Sequence, residues 1–397
     1  MTPLEHVTGQ LEFEGGEVRL HGIKARTGMT EFALDGRITY TPEGPDLDLA
    51  IKTQGLRLEG PLRAALPGPL QKAFDNLHPS GRVDMNLSRL TYRSTGPLKA
   101  EAVWSGTAIL DEVGLAPGVK ISGVVGTAEL QGKWADDKMA LDGRLRIQQG
   151  KIADFGLSDA RMIVEMHPDS SALVIRNVEG EFYGGRMEGS ASIRIEPPAR
   201  YALTLTAIDV DFERLLKEGF RLGQNVSGGR MRATLGLWNR GPDGMVEASG
   251  YADVAGAKLY QTPVVVRVLS VLQMAPADQT AFEKARVLYF WRGQRLYLGD
   301  VRLEGRAMNL YGAGVLEPDN QLHMTFLLGK KNDDPLIPAL WELAEGIRRE
   351  LAVVLVTGTP AEPQVEIRSL STLTAPFREL LRLVREQRQR ETAGQGK

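Results

Sequence analysis

Segment after segment of this chain alternates apolar and polar residues, and that period of two constrains the fold more than any other feature. Met187, Gly189, Ala191, Ile193 and Ile195 interleave with Glu188, Ser190, Ser192, Arg194 and Glu196. Met231, Ala233, Leu235 and Leu237 interleave with Arg230, Arg232, Thr234 and Gly236. Val83, Met85 and Leu87 do the same against Arg82, Asp84, Asn86 and Ser88, as do Leu145 and Ile147 against Arg144, Arg146 and Gln148. Successive side chains of a strand point to opposite faces, so each run has one oily and one wet face. This pattern belongs to an antiparallel sheet covered on one side. Asp35-Gly36, Glu43-Gly44, Asp142-Gly143 and Asp243-Gly244 read as the turns between strands.

Glycine supports this reading, with 44 among 397 residues against a usual ~7%. Gly184-Gly185-Arg186-Met187 recurs as Gly228-Gly229-Arg230-Met231, each opening an alternating run, and Phe182-Tyr183-Gly184-Gly185 has an echo in Leu310-Tyr311-Gly312-Ala313-Gly314. A loose repeat of strand pairs favours a repetitive sheet over a compact single core. Helical signals are few and late. Pro263 to Met274 is apolar nearly all round, Ile337 to Leu351 has Pro338 in its first turn, and Thr372 to about Arg390 carries Leu373, Phe377, Leu380, Leu381 and Val384 on one face. A shorter helix is expected in the loop from Leu62 to Leu77. The expected segments are residues 1–140, 141–262 and 263–397.

The formal net charge of −2 offers no field toward nucleic acid, and the chain has no cysteine, hence no disulfide and no thiol chemistry. No run of 18 apolar residues is present, so no segment reads as a membrane-spanning helix. The opening Met1-Thr2-Pro3-Leu4-Glu5-His6 has neither the basic nor the apolar part of a signal peptide. The expectation is a cytoplasmic chain or a piece of something longer.

A search for chemistry is negative. The sequence has no zinc-protease helix motif, no nucleophile elbow and no dinucleotide fingerprint. Gly126 to Lys133 misses the phosphate-loop spacing and reads as strand and turn. His6, His21, His78, His167 and His323 are scattered and read as surface residues. Asp136-Asp137 and Asp333-Asp334 read as solvated turns, and Asp209-Val210-Asp211 as a chance carboxylate pair. Catalytic residues, a metal site and cofactors are therefore not expected.

From about Ala153 onward, the order of signals resembles the C-terminal region of the AsmA-like family. The matching residues run through Val178-Glu179-Gly180-Glu181-Phe182-Tyr183-Gly184-Gly185-Arg186-Met187-Glu188-Gly189, then Ile208-Asp209-Val210-Asp211-Phe212 and Leu215-Leu216. Val226-Ser227-Gly228-Gly229 and Ala257-Lys258-Leu259-Tyr260-Gln261-Thr262-Pro263-Val264 follow, and Val356-Thr357-Gly358-Thr359-Pro360-Ala361-Glu362-Pro363-Gln364-Val365 closes the match. The resemblance implies a mainly β fold, an elongated, curved, mostly antiparallel repetitive sheet forming a trough, with a few α-helices near the C-terminus. It also implies a bridge-like lipid-transfer role in the Gram-negative periplasm, with the full-length protein anchored in the inner membrane. Periodicity alone does not separate a trough from a sandwich, and without the resemblance a sandwich is favoured.

The leading functional expectation is a non-catalytic envelope module that shields or conducts the acyl chains of phospholipid or glycolipid, in lipid transport or outer-membrane assembly. Its lipid-contacting residues would be Met187, Ile193, Leu203, Leu205, Met231, Leu235 and Leu237. A second reading is a scaffold or assembly factor that binds envelope proteins through its C-terminal helices. A third is a glycan- or lipid-modifying enzyme. Nucleic acid is not an expected partner.

Overall fold

The computed structural model of the chain describes residues 5–59, 62–63, 68–96, 99–116, 119–136, 138–170, 172–194, 200–220, 227–239, 245–259, 262–271, 282–305, 309–329 and 352–369. The fold is mainly β and antiparallel, with twenty strands and three short helical segments among these residues. It divides into two compact units. Unit 1 comprises Met1–Phe182 and Arg186–Leu203, and unit 2 comprises Tyr183–Gly185 and Thr204–Lys397.

Unit 1 is a meander in which each strand pairs with the next. Its strands are β1 (Glu5–Glu14), β2 (Glu17–Thr27), β3 (Thr30–Thr41), β4 (Gly44–Arg57), β5 (Ser80–Gly96), β6 (Lys99–Leu115), β7 (Ile121–Ala135), β8 (Lys138–Ile152), β9 (Phe155–Met166) and β10 (Ala172–Phe182). Helix α1 (Gly68–Leu77) lies in the β4–β5 connection, within the stretch expected to be helical. Strand β11 (Gly185–Arg194) follows, and β12 (Arg200–Asp211) runs from unit 1 into unit 2. Unit 2 continues through β13 (Gly228–Trp238), β14 (Glu247–Ala257), β15 (Lys284–Arg292), β16 (Arg295–Glu304), β17 (Asn309–Leu316), β18 (Leu322–Gly329), β19 (Ala352–Gly358) and β20 (Pro363–Ser369), again each paired with the next.

Two helical segments belong to unit 2. The one-turn α2 (Phe212–Arg214), which the sequence reading missed, begins where Asp211 accepts a 3.0 Å hydrogen bond from the Arg214 amide, and it widens into a π turn at Leu215–Gly219. Helix α3 (Pro263–Val271) starts at its proline as expected, buries Val265, Val268 and Leu269, and packs against β19 and β20. The expected helices at 337–351 and 372–390, and the expected turns at Asp243-Gly244 and Asp333-Asp334, lie outside the described residues.

Two turns expected from the sequence are strand interiors. Asp35-Gly36 lies inside β3 and Asp142-Gly143 inside β8. Gly36 stands directly opposite Leu20 on one side and Leu49 on the other, and Gly143 stands opposite Leu130 and Val164. A turn would break both ladders. Instead, the strand runs on, with the Asp48 carbonyl oxygen at Gly36 and the Leu130 side chain at Gly143 standing where a Cβ would go. Glu43-Gly44 does form the expected turn, closed by a 2.7 Å hydrogen bond from the Thr41 hydroxyl to the Gly44 carbonyl.

Burial differs between the units. In unit 1 the apolar face has a buried floor of Val83, Ala108, Val113 and Ala128. Around it Leu34, Leu47, Leu49, Leu90, Trp104, Leu130 and Leu141 are only half-buried. Side chains of this size would be fully buried beneath a second sheet, so half-burial fits one face screened by its own neighbours. In unit 2, β17 is buried at every position except Leu316, and Phe326, Val354 and Val356 are sealed on the adjoining strands. Both faces are covered there.

Candidate lipid-facing surface

Strand register sorts the alternating side chains into cross-strand rows. In unit 1 one row crosses all ten paired strands: Leu11, Leu20, Gly36, Leu49, Leu90, Trp104, Gly132, Leu141, Met166 and Leu173, each directly opposite the next. At ~4.8 Å per strand, such a row is about 43 Å long. In unit 2 an uncharged row crosses eight strands, from Leu235 through Gly250, Tyr289, Leu298, Gly314, Met324 and Val356 to Val365, with Gly314, Met324 and Val356 buried and Leu235, Tyr289 and Leu298 half-buried. Neither row contains a charge.

Charges collect on the opposite face. Arg82 and Asp111 approach to 2.6 Å, Lys138 and Asp169 to 2.7 Å, and Arg286 and Asp253 to 2.5 Å. Asp169 is held below the usual carboxylate range by its hydrogen bond from Lys138, and Lys138 is raised in turn. These pairs are open to solvent, where each contributes little to stability. Their main effect is a water-compatible surface behind an oily one.

The residues expected to touch lipid sit at alternate positions as the period required. Met187 and Ile193 lie on β11, and Leu203 on the part of β12 that belongs to unit 1. In unit 2, Leu205 lies on β12 and Met231, Leu235 and Leu237 on one face of β13, opposite Val254, Gly250 and Ala248. Met187 and Met231 are buried, at 4% and 8% exposure, and form floor. Ile193, Leu203, Leu205, Leu235 and Leu237 are half-buried, which leaves surface free to touch a ligand.

Sequence reading missed the residues that repeatedly bend these strands. Gly22, Gly55, Glu112, Asp159 and Asn177 in unit 1, and Asp209, Gly256 and Asp300 in unit 2, all have φ between +45° and +72°. At Gly22, Gly55, Glu112, Asp159, Asn177 and Asp300 the ladder slips by a residue, whereas at Gly256 it stays in step with β13. Those six slips are β-bulges, which bend and twist their strands. The residue after each of these positive-φ positions is apolar: Val113, Ala160, Val178, Val210, Ala257 and Val301 are buried, while Ile23 and Leu56 are half-buried. The bulge amides are served from the next strand, Gly22 by Asp35 at 2.6 Å and Gly55 by Asp84 at 2.7 Å. The legible signal is a Gly, Asp, Asn or Glu followed by Val, Ile, Leu or Ala inside an alternating run. Asp209-Val210-Asp211 shows the pattern: Asp209 takes a left-handed backbone conformation, Val210 is fully buried, and Asp211 caps α2.

No reactive constellation accompanies these rows. All five histidines are exposed. Among the described residues, no three His, Asp or Glu side chains group as a metal site, and no helix is long and apolar enough to cross a membrane. The sequence matches no family model, and no curated protein or solved structure matches it.

Proposed function

We propose that this chain is a non-catalytic module of the bacterial envelope that shields lipid acyl chains against its apolar rows. The observation that carries the reading is the uncharged ten-strand row of unit 1, flanked by side chains that stay half-buried. Apolar surface left in this state gains about 25 cal/mol for every Å² that an acyl chain covers. Shielding of this kind needs area and continuity, and it needs no reactive group. Movement of lipid along such a surface would serve lipid transport or outer-membrane assembly from the periplasm, with an inner-membrane anchor on the full-length protein.

The test is positional photo-crosslinking in cells. A photoreactive side chain at Leu90, Leu141 or Leu235 is expected to capture phospholipid or glycolipid. The same group at Arg82, Arg144 or Arg232, on the charged face, is expected to capture little. Equal capture from both faces, or none from the apolar one, contradicts the reading.

A further inference from the structure

The charged face of unit 1 carries a hollow of about 740 Å³ between β5 and β10, with His167, Pro168 and Ser170 along its rim. One cross-strand row runs through it: Arg89, Ser105, Gln131, Asp142 and Glu165, each directly opposite the next. Beside the row Val103, Ala140 and Val174 offer a low apolar ledge, and Val103 remains 40% exposed.

Sheet pairing does not account for these residues. Asp142 and Glu165 are carboxylates directly across from each other, an arrangement that weakens strand pairing. Arg176 lies 3.4 Å from Glu165, but among the described residues no ion pair reaches Asp142. At the other end, the Arg89 guanidinium is 4.0 Å from Asp48, an approach too long for a hydrogen bond. The row therefore offers donors at Arg89, a group that both donates and accepts at Gln131, acceptors at Asp142 and Glu165, and a Ser105 hydroxyl that is shared with Ser88 at 3.4 Å.

We propose that this hollow binds an oligosaccharide. A chain dense in hydroxyls both donates and accepts along its whole length, which is what the row asks of a ligand. The carbon faces of sugar rings suit the ledge of Val103, Ala140 and Val174. The alternatives match only parts of the row. An anion would meet Asp142 and Glu165, a basic peptide would leave Arg89 and Gln131 unanswered, and an acyl chain would strand every polar group. Five strands at ~4.8 Å give the row a reach of about 19 Å, suited to an extended ligand. The polar row lies on the face opposite the apolar rows, although Trp104, Gly132, Leu141 and Met166 of the unit 1 row also line the hollow, and the ligand is argued from the polar row without the lipid reading.

Chitotetraose and maltotetraose, titrated calorimetrically against the whole chain, test the proposal. At least one is expected to bind. Gln131→Ala and Asp142→Asn, both at exposed positions, should each weaken that binding tenfold or more, with unchanged circular dichroism. Lys24→Ala, on the same face but away from the hollow, should leave it intact. Failure of both sugars to bind, or binding insensitive to both variants, overturns the proposal. Binding of tetralysine that is lost in Asp142→Asn, with no sugar binding, also overturns it and marks the carboxylates as an amine site.

Discussion

The hydroxyl of Tyr289 on β15 donates a 2.6 Å hydrogen bond to the main-chain carbonyl of Thr234 on β13, two strands away. It does so by crossing Gly250 on the strand between them, directly opposite Tyr289. An aromatic side chain laid across a strand glycine packs surface that would otherwise be bare. Trp104 covers Gly132 and Phe326 covers Gly312 in the same way.

Burial pushes the Tyr289 hydroxyl up to about 12, from the ordinary value of 10.0. The folded state thus keeps a proton that the unfolded chain gives up first. Stability from this group is whole below pH 10 and is lost as pH rises from 10 toward 12. Chemical denaturation at pH 9 and pH 11.5 should show a loss of stability that is smaller in Tyr289→Phe. The same substitution should cost about 1 kcal/mol at neutral pH, the usual worth of one hydrogen bond.

Gly250→Ala should be the more damaging change. Its Cβ would collide with the Thr234 carbonyl oxygen and come within 2.6 Å of the Tyr289 hydroxyl. The backbone contact cannot swing away, so a loss of about 2–4 kcal/mol is expected, within the range for overpacked or distorted sites. Gly250→Ala combined with Tyr289→Ala should recover only part of it, because the clash with Thr234 remains. Full recovery would show that the tyrosine alone requires the glycine.

At Asp209 the backbone φ is +58°. Asp209→Gly should therefore be close to neutral, while Asp209→Val, β-branched and unsuited to this region, should cost about 1–2 kcal/mol. Thermal unfolding of the two variants makes the comparison. A valine as well tolerated as glycine would mean that the left-handed conformation is not maintained.

Strand β1 pairs only with β2 among the described residues, and all ten of its residues are exposed, Leu11 and Phe13 at 51% and 73%. Edges of this kind are commonly protected by charge. Replacing Glu12 and Glu14 together by valine should promote concentration-dependent self-association in sedimentation velocity, with secondary structure retained. A monomer at every concentration would show that these glutamates do not guard the edge.

How far the fold could be read ahead depended on how local its cause was. The period-two runs around Met187, Met231 and Val83 placed strands correctly, because side-chain direction follows from the backbone alone. The helix at Pro263 was legible from its proline and apolar run. Asp35-Gly36 and Asp142-Gly143 misled because a glycine after aspartate favours a turn locally. What stands beside the two glycines is the Asp48 carbonyl at Gly36 and the Leu130 side chain at Gly143, close approaches across the ladder that only register reveals. The left-handed turn of the backbone at Asp209 and the bulge at Asp300 were hidden for a similar reason, since one acidic residue in a strand looks like any other outward-facing charge. The rows themselves combine many strand registers, so alternation gave their composition but not which residues stand side by side.

The central claim is that the apolar rows hold acyl chains, and native mass spectrometry of the purified chain tests it most directly. The wild-type protein should carry phospholipid or glycolipid that is released as collision energy rises. Leu235→Glu, which puts a charge into the eight-strand row, should lose most of that lipid while its circular dichroism spectrum remains mainly β. A wild-type protein free of lipid, or a folded Leu235→Glu variant with the same lipid content, would contradict the account.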